Sequence, residues 1–541
     1  MGSRGMQKQL SRSCLLISGK TRGNMNINKP SGKQRNRQHI IRMLLVLAML
    51  LTALSGCKVV ESISEYNLPK GSQLSEKKEK TKEAVPPSDF KKTEITILAS
   101  TFKSLNPYVP QDKSMETILR QCYQGLMTLS TTGEMVGQLA DQVILAEDGF
   151  SCLLTLGEKQ FHDGSPVRFK DVNYSLQKAR TGKYAIETAV IKKMTAQSDN
   201  QIKVEFLTPG ILNLYSLCFP IVPENSLEKG NPLEIKGTGP YQLAEYKPMQ
   251  TLKLRSASNQ LEISLSRTES ITREAFINGL TDIYFTEEFP WFSFSEEILR
   301  NISKFPGRSF YYMGFQLKSG LMSDNQIRKY LMNKLDWEIL YKNAFLNHIV
   351  QQKLPFYRGK QWEDDRQEVL PSASGMNILD TNPVPAGQKL SLLYPTSDRY
   401  LEIMAQNIKE EWEAYVGVEI VGLPPAEYQT ALQNGNFDVY LTKMPVKEYP
   451  NLKDFIGLNG QYNYSGIGVL DGLVNSFLTA KDEKELKKNY LAIVKEIEEN
   501  VWLVPFGFLE NAVILSNQVE GELTAKPFDI LSGITEIKAV K

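Results

Sequence analysis

Phe161-His-Asp-Gly-Ser-Pro166, leading into Phe169-Lys-Asp-Val-Asn-Tyr-Ser175, is the stretch on which the fold turns. Gly164 supplies a permissive backbone position and Pro166 helps to end the strand, so the segment predicts a tight turn between strand and helix. The helix is expected over Phe169–Arg180, its start marked by Lys170-Asp171. Working outward, Phe150–Leu156 and Ile202–Leu207 read as strands on either side. The same alternation continues in both directions. Glu94–Ala99 predicts a strand, Ser114–Leu126 a helix, and Thr131-Thr-Gly-Glu134 a hairpin turn. Tyr241–Tyr246 and Thr251–Leu254 are two further strands, and Asp324–Phe345 one long helical stretch. Leu390–Tyr394, Tyr400–Tyr415 and Glu419–Gly422 read as strand, helix, strand, followed by a strand at Phe437–Leu441. Lys481–Asn500 is a periodic charged helix that runs into a buried-looking strand, Val501–Phe508. Alternating elements without a repeat argue an α/β protein.

The N-terminal part follows different rules. Met43–Leu54 is an almost unbroken apolar run ending in Leu54-Ser-Gly-Cys57, behind a stretch rich in Lys and Arg with no acid. A basic region, a short apolar core and small residues make a secretory signal, residues 1–56. The run falls short of the roughly 20 apolar residues a bilayer span needs. Leu-Ser-Gly-Cys resembles the lipobox of bacterial lipoproteins. The resemblance implies that Cys57 is lipidated on its thiol, becomes the new N-terminus and holds the protein at the outer face of the cell membrane. The basic region is long for a signal, and Met25 is a plausible start. Residues 57–92 are polar and charged, with too little apolar surface to offset the entropy of ordering, and read as a disordered tether.

Removing the signal changes the charge. The whole chain has 63 Lys+Arg and 61 Asp+Glu; all 10 basic and none of the acidic residues of 1–56 leave, so the remainder carries a net −8. A nucleic-acid partner, which needs a basic face, gains no support. Some 485 residues exceed one hydrophobic core and predict two or three domains. Cys122, Cys152 and Cys218 are an odd number without metal spacing, and only His162 and His348 remain, so neither a disulfide framework nor a metal site is expected. No nucleophile elbow or phosphate-cradling loop stands out. His162 beside Asp163 belongs to the turn and is a poor catalytic candidate, so no enzyme and no cofactor are expected.

Several segments, taken in order, resemble the extracytoplasmic solute-binding proteins of peptide- and nickel-type ABC transporters. They are Leu105-Asn-Pro107, Tyr123-Gln-Gly-Leu126, Gln138-Leu-Ala-Asp141, the opening stretch itself, and Gly237-Thr-Gly-Pro-Tyr241. Ile327-Arg-Lys-Tyr-Leu-Met332, Gly435-Asn-Phe-Asp-Val439 and Val504-Pro-Phe506 complete the set, which spans about residues 93–535. Most of these are turns and are expected to act as scaffold. The resemblance implies a bilobed, periplasmic-binding-protein-like fold of three domains with a hinge between the lobes. One lobe would combine 93–121, 236–308 and 511–541 with an inserted domain at 122–235; the other would be 309–510.

In peptide-binding members a buried acid pairs with the ligand's α-ammonium, which is costly to bury alone. Here the matching region is Lys443-Met-Pro-Val-Lys-Glu-Tyr-Pro450. Counting back from Phe455 places Glu448 at the acid position, with Tyr449 and Pro450 matching after it; counting forward from Asp438 places Lys447 there. Glu448 is preferred, since one inserted loop residue costs little, while Lys447 would favour an anionic ligand. Asp112 is a further ligand-binding candidate. The family's tryptophan of this stretch is absent, and the segment after Leu254 (RSASNQLEISL) lacks its usual element. The expected function is a monomeric, membrane-tethered receptor that captures an oligopeptide or another small polar solute and presents it to an ABC permease. The alternatives are a receptor for a sugar or metal chelate, and a surface protein that has lost transport.

Overall fold

The computed structural model describes residues 94–540 except 100–103, 231–233, 249, 266–267, 287–290, 296–297, 299–300 and 366–380. The apolar run 43–54, Cys57 and the tether lie outside the described residues. Among those described, no helix is long and apolar enough to cross a membrane.

The described chain opens with β1 (Glu94–Ala99), whose side chains alternate between half-buried and buried. The hairpin β2 (Met127–Leu129) and β3 (Met135–Gly137) follows, then β4 (Ala140–Leu145), β5 (Ser151–Leu156), β6 (Ile191–Ala196) and β7 (Gln201–Phe206). These last four form an antiparallel sheet in the order β4-β5-β7-β6. β8 (Gln242–Lys247), β9 (Thr251–Arg255), β10 (Gln260–Leu265), β11 (Ile283–Thr286) and β12 (Ile302–Phe315) come next. β13 (Ile349–Val350), β14 (Lys389–Pro395), β15 (Gly417–Leu423), β16 (Val439–Pro445) and β17 (Leu503–Leu515) close the main sheet. Its order is β15-β14-β16-β12-β17-β11-β1-β10-β9-β8.

Two long strands, β12 and β17, join the halves of this sheet. Ile302–Pro306 pairs with Glu510–Ile514 on the β11 side, whereas Phe310–Gly314 pairs with Leu503–Phe508 on the β16 side. The register shifts between Pro306 and Phe310 and again between Tyr311 and Tyr312, where proline and bulges interrupt the ladder. Two bodies of apolar packing flank the join. The first takes Ile97, Ile118, Leu154 and Leu261 together with the C-terminal Val513 and Leu531. The second lies between Phe310 and Phe508, in two clusters centred on Trp412 with Leu392 and on Tyr490 with Phe477. Leu212 and Tyr215, from the segment after β7, are buried in the Tyr490 cluster, and the Ile211 amide donates to Ala480 O at 2.8 Å.

The opening stretch folds as its residues dictate. Gly164 takes φ +81°, and the helix covers Phe169–Thr181. Asp171 accepts from the amides of Arg168 at 3.0 Å and Glu224 at 2.9 Å, and Ser175 Oγ accepts from the Val222 amide at 2.9 Å. His162 clamps this turn to Gly237-Thr-Gly-Pro-Tyr241. The Gly237 amide donates to its Nδ1 at 3.2 Å, which makes Nε2 the donor to Gly239 O at 2.9 Å. Burial holds the His162 pKa below the ordinary imidazole value, so the ring stays neutral. A Cβ on Gly237 would stand 1.9 Å from Cys122 O, so only glycine permits this approach.

Some elements differ from expectation. The helix predicted over Ser114–Leu126 is Lys113–Arg120, because the carbonyls of Gln121 and Cys122 accept instead from the amides of Tyr241 and Gly239. The run Asp324–Phe345 is two helices, Asn325–Met332 and Trp337–Phe345; Asp336 breaks it by capping the second through the Ile339 amide. RSASNQLEISL contains β10, which lies parallel to β1.

Candidate functional site

A cleft of about 390 Å³ lies beside the strand join. One side comes from β2, the turn after it and the Lys526–Asp529 turn; the other comes from Tyr357, the helix Gly359–Asp364 and Glu448. Such a volume lies at the small end of the range for ligand sites.

The position of Glu448 follows from β16. Beyond Pro445 the strand continues one residue alongside β12, with the Val446 amide donating to Arg308 O at 2.7 Å and its side chain buried. Alternation then turns Lys447 to solvent and Glu448 back into the cleft. There the Glu448 carboxylate meets Arg120, the last residue of the helix Lys113–Arg120. Nη2 lies 2.5 Å from Oε2 and Nη1 3.3 Å from Oε1, a two-pronged ion pair between groups 328 residues apart. Burial alone would lower the Arg120 pKa; the adjacent Glu448 carboxylate reverses this and raises it. Nearby, Glu116 takes Lys183 at 3.1 Å and Arg308 at 3.6 Å. The remaining acids of the cleft are Asp364, paired with Lys360 at 2.9 Å, Asp365, paired with Lys487 at 3.4 Å, and Asp529.

The four residues expected to meet the ligand separate. Glu448 lines the cleft. Tyr449 packs edge-on against Tyr215, centroids 6.1 Å apart, and burial raises its phenol pKa. Lys447 is exposed beside a small adjoining hollow that Glu448 shares. Asp112 caps the helix Lys113–Arg120, accepting from the amides of Ser114 and Met115, both at 3.1 Å, and is not among the residues lining the cleft. Arg120, Tyr357 and Asp529 had no signal in the chain: each is an isolated residue whose partners are remote in sequence. Among the described residues no group of His, Cys, Asp or Glu is arranged to hold a metal ion.

The sequence profile of the bacterial extracellular solute-binding proteins, family 5, matches residues 134–464, more than half of the chain. The chain is a family 5 solute-binding protein. Among curated relatives, the glutathione-binding protein GsiB of Pectobacterium atrosepticum is 28% identical over 203 residues, 35% of this chain and 39% of its own length. The binding protein thus spans about two fifths of that relative. The oligopeptide-binding protein OppA of Bacillus subtilis is 20% identical over 415 residues, covering 66% of this chain and 73% of its own. Among solved structures, the periplasmic murein tripeptide binding protein MppA, in its unliganded open form, superposes with a TM-score of 0.71 at 20% identity. That match covers 83% of this chain and 98% of MppA. The fold is the two-lobed α/β fold of the periplasmic binding proteins, as expected.

Proposed function

We propose that this binding protein is the lipid-anchored receptor of an ABC importer, which captures a short peptide between its lobes and delivers it to a membrane permease. The observation that carries the reading is the cleft beside the β12–β17 join, into which Arg120 and Glu448 reach from opposite sides. The ligands named for the relatives, glutathione, oligopeptides and a murein tripeptide, are all peptide-like and support the same class. Contacts from both lobes would favour the closed form by as much as the ligand's differential affinity for it. The two bodies of apolar packing support lobes of 93–121, 236–308 and 511–541, with 122–235 inserted, against 309–510.

Mass spectrometry of solute released from the purified chain tests the substrate class: peptide masses are expected, and a uniform population of sugar or metal chelate would overturn it. Pairing of Glu448 with Arg120 favours the non-peptide alternative, since that acid is already matched. For the anchor, palmitate labelling is expected to mark the wild type and spare Cys57→Ser; equal labelling of both would remove the lipoprotein reading.

A further inference from the structure

Four carboxylates line the cleft, and three of them already have a cation. Asp364, Asp365 and Glu448 pair with Lys360, Lys487 and Arg120. Asp529 alone receives a neutral partner: Gln121 Nε2 donates to its Oδ1 at 2.7 Å. Among the described residues no cation lies within ion-pair distance of it. Lys526, three residues earlier on the same turn, directs its ammonium to Leu129 O instead. The carboxylate is nevertheless well fixed. Its amide donates to Lys526 O at 3.0 Å, its carbonyl accepts from Ser532 at 3.2 Å, and Gln121 is itself 5% exposed. Burial raises the Asp529 pKa, and the pull of Lys526 and Arg120, neither within ion-pair distance, only partly opposes it.

Beside it the cleft wall is apolar. Phe528 meets Tyr357 edge-on with centroids 5.6 Å apart, and Tyr357 stacks on Phe508 at 4.7 Å. An acid held in place, short of a cation and set next to an aromatic wall suits a primary ammonium on an apolar residue. Burying that ammonium without a counter-charge would be prohibitive, and burying the acid without one is costly in the empty protein.

We propose that Asp529, and not Glu448, receives the ligand's ammonium group, and that the Arg120–Glu448 pair serves to bind the two lobes to each other. For the ligand class the proposal rests on the peptide reading above. The ammonium would complete a charge-assisted hydrogen bond with the free Oδ2 of Asp529 while Gln121 keeps Oδ1.

The test uses the full chain in detergent, with native mass spectrometry of a mixed tripeptide pool and of the same pool N-acetylated. The wild type is expected to retain the free-amine pool in preference. Asp529→Asn keeps the Gln121 bond and is expected to lose that preference by about tenfold or more, the scale of a lost buried charge contact. Asp529→Glu is expected to recover part of it. Glu448→Gln is expected to weaken both pools alike. An undiminished preference in Asp529→Asn, or its loss in Glu448→Gln alone, overturns the proposal. If the wild type retains neither pool, the peptide reading fails, and phenethylammonium binding by calorimetry decides the site. Binding that Asp529→Asn abolishes keeps the ammonium site, and binding that is absent or independent of Asp529 overturns it.

Discussion

Two arginines divide the molecule between what holds it together and what it works with. Arg328, in the helix Asn325–Met332, is 1% exposed and donates to four carbonyls: Val501 O at 2.9 Å, Met322 O at 2.7 Å, Asn500 O at 2.8 Å and Ser323 O at 3.2 Å. It ties off the end of the helix Glu483–Asn500, and burial pushes its pKa down to about 10. Arg120 is less buried and faces a carboxylate from the other side of the cleft, and its pKa moves up. The same side chain shifts in opposite directions because at Arg328 the charge of Asp324 only partly offsets desolvation, whereas the Glu448 carboxylate in direct contact with Arg120 exceeds it. Arg328 ties together the ends of neighbouring helices and is part of the fold; Arg120 bonds across the cleft and lines the candidate site.

The largest expected effect breaks this contrast on its structural side. Arg328→Met fills similar space but strands the carbonyls of Asn500, Val501 and Met322, and should cost on the order of 3 kcal/mol or more in urea unfolding. A loss no greater than that of Arg120→Met would erase the distinction. Next, a double-mutant cycle on Arg120→Ala and Glu448→Ala should give a coupling of about 1 kcal/mol, modest because both side chains keep some contact with water. It should shrink with salt, which Arg328→Met would not.

The smallest effect concerns Asp529. Its raised folded pKa means that the native state holds the proton more tightly than the unfolded chain does. The ionised acid therefore costs stability as pH rises from the ordinary aspartate range through the raised value. Asp529→Asn should match the wild type at low pH and melt at or above it at neutral pH, by thermal unfolding of the ligand-free chain. A variant less stable than wild type at neutral pH would show that Gln121 already satisfies the carboxylate.

Much of the scaffold could be read from the chain, for local reasons. Phe150–Leu156 and Phe169–Arg180 have clear periods, and Gly164 with Pro166 marks the turn between them. The elements misjudged were those decided at a distance. The helix ending at Arg120 stops where Tyr241 and Gly239 take the carbonyls of the next two residues, and β10 exists because β1 pairs with it across 166 residues. The site was less legible than the fold. Glu448 could be placed through a neighbouring Tyr-Pro, but nothing local marks Arg120 as its partner or Gln121 as that of Asp529. Charge matching is settled only when remote segments meet.

The strand join also sets an order of events. β11 pairs with Ala512–Leu515, and the packing around Ile97 and Leu261 includes Val513, Leu523, Leu531 and Ile534. The packing around Ile97 is therefore incomplete until the final 30 or so residues arrive, while the buried clusters of the stretch from Phe310 to Phe508, which also take in Leu129, Leu212 and Tyr215, need none of them. During synthesis the later-made body of packing can form first and the one begun earlier must wait, a long-range closure of the kind that slows folding. A chain cut short by a few dozen residues at its C-terminus would lose the packing around its first described strand.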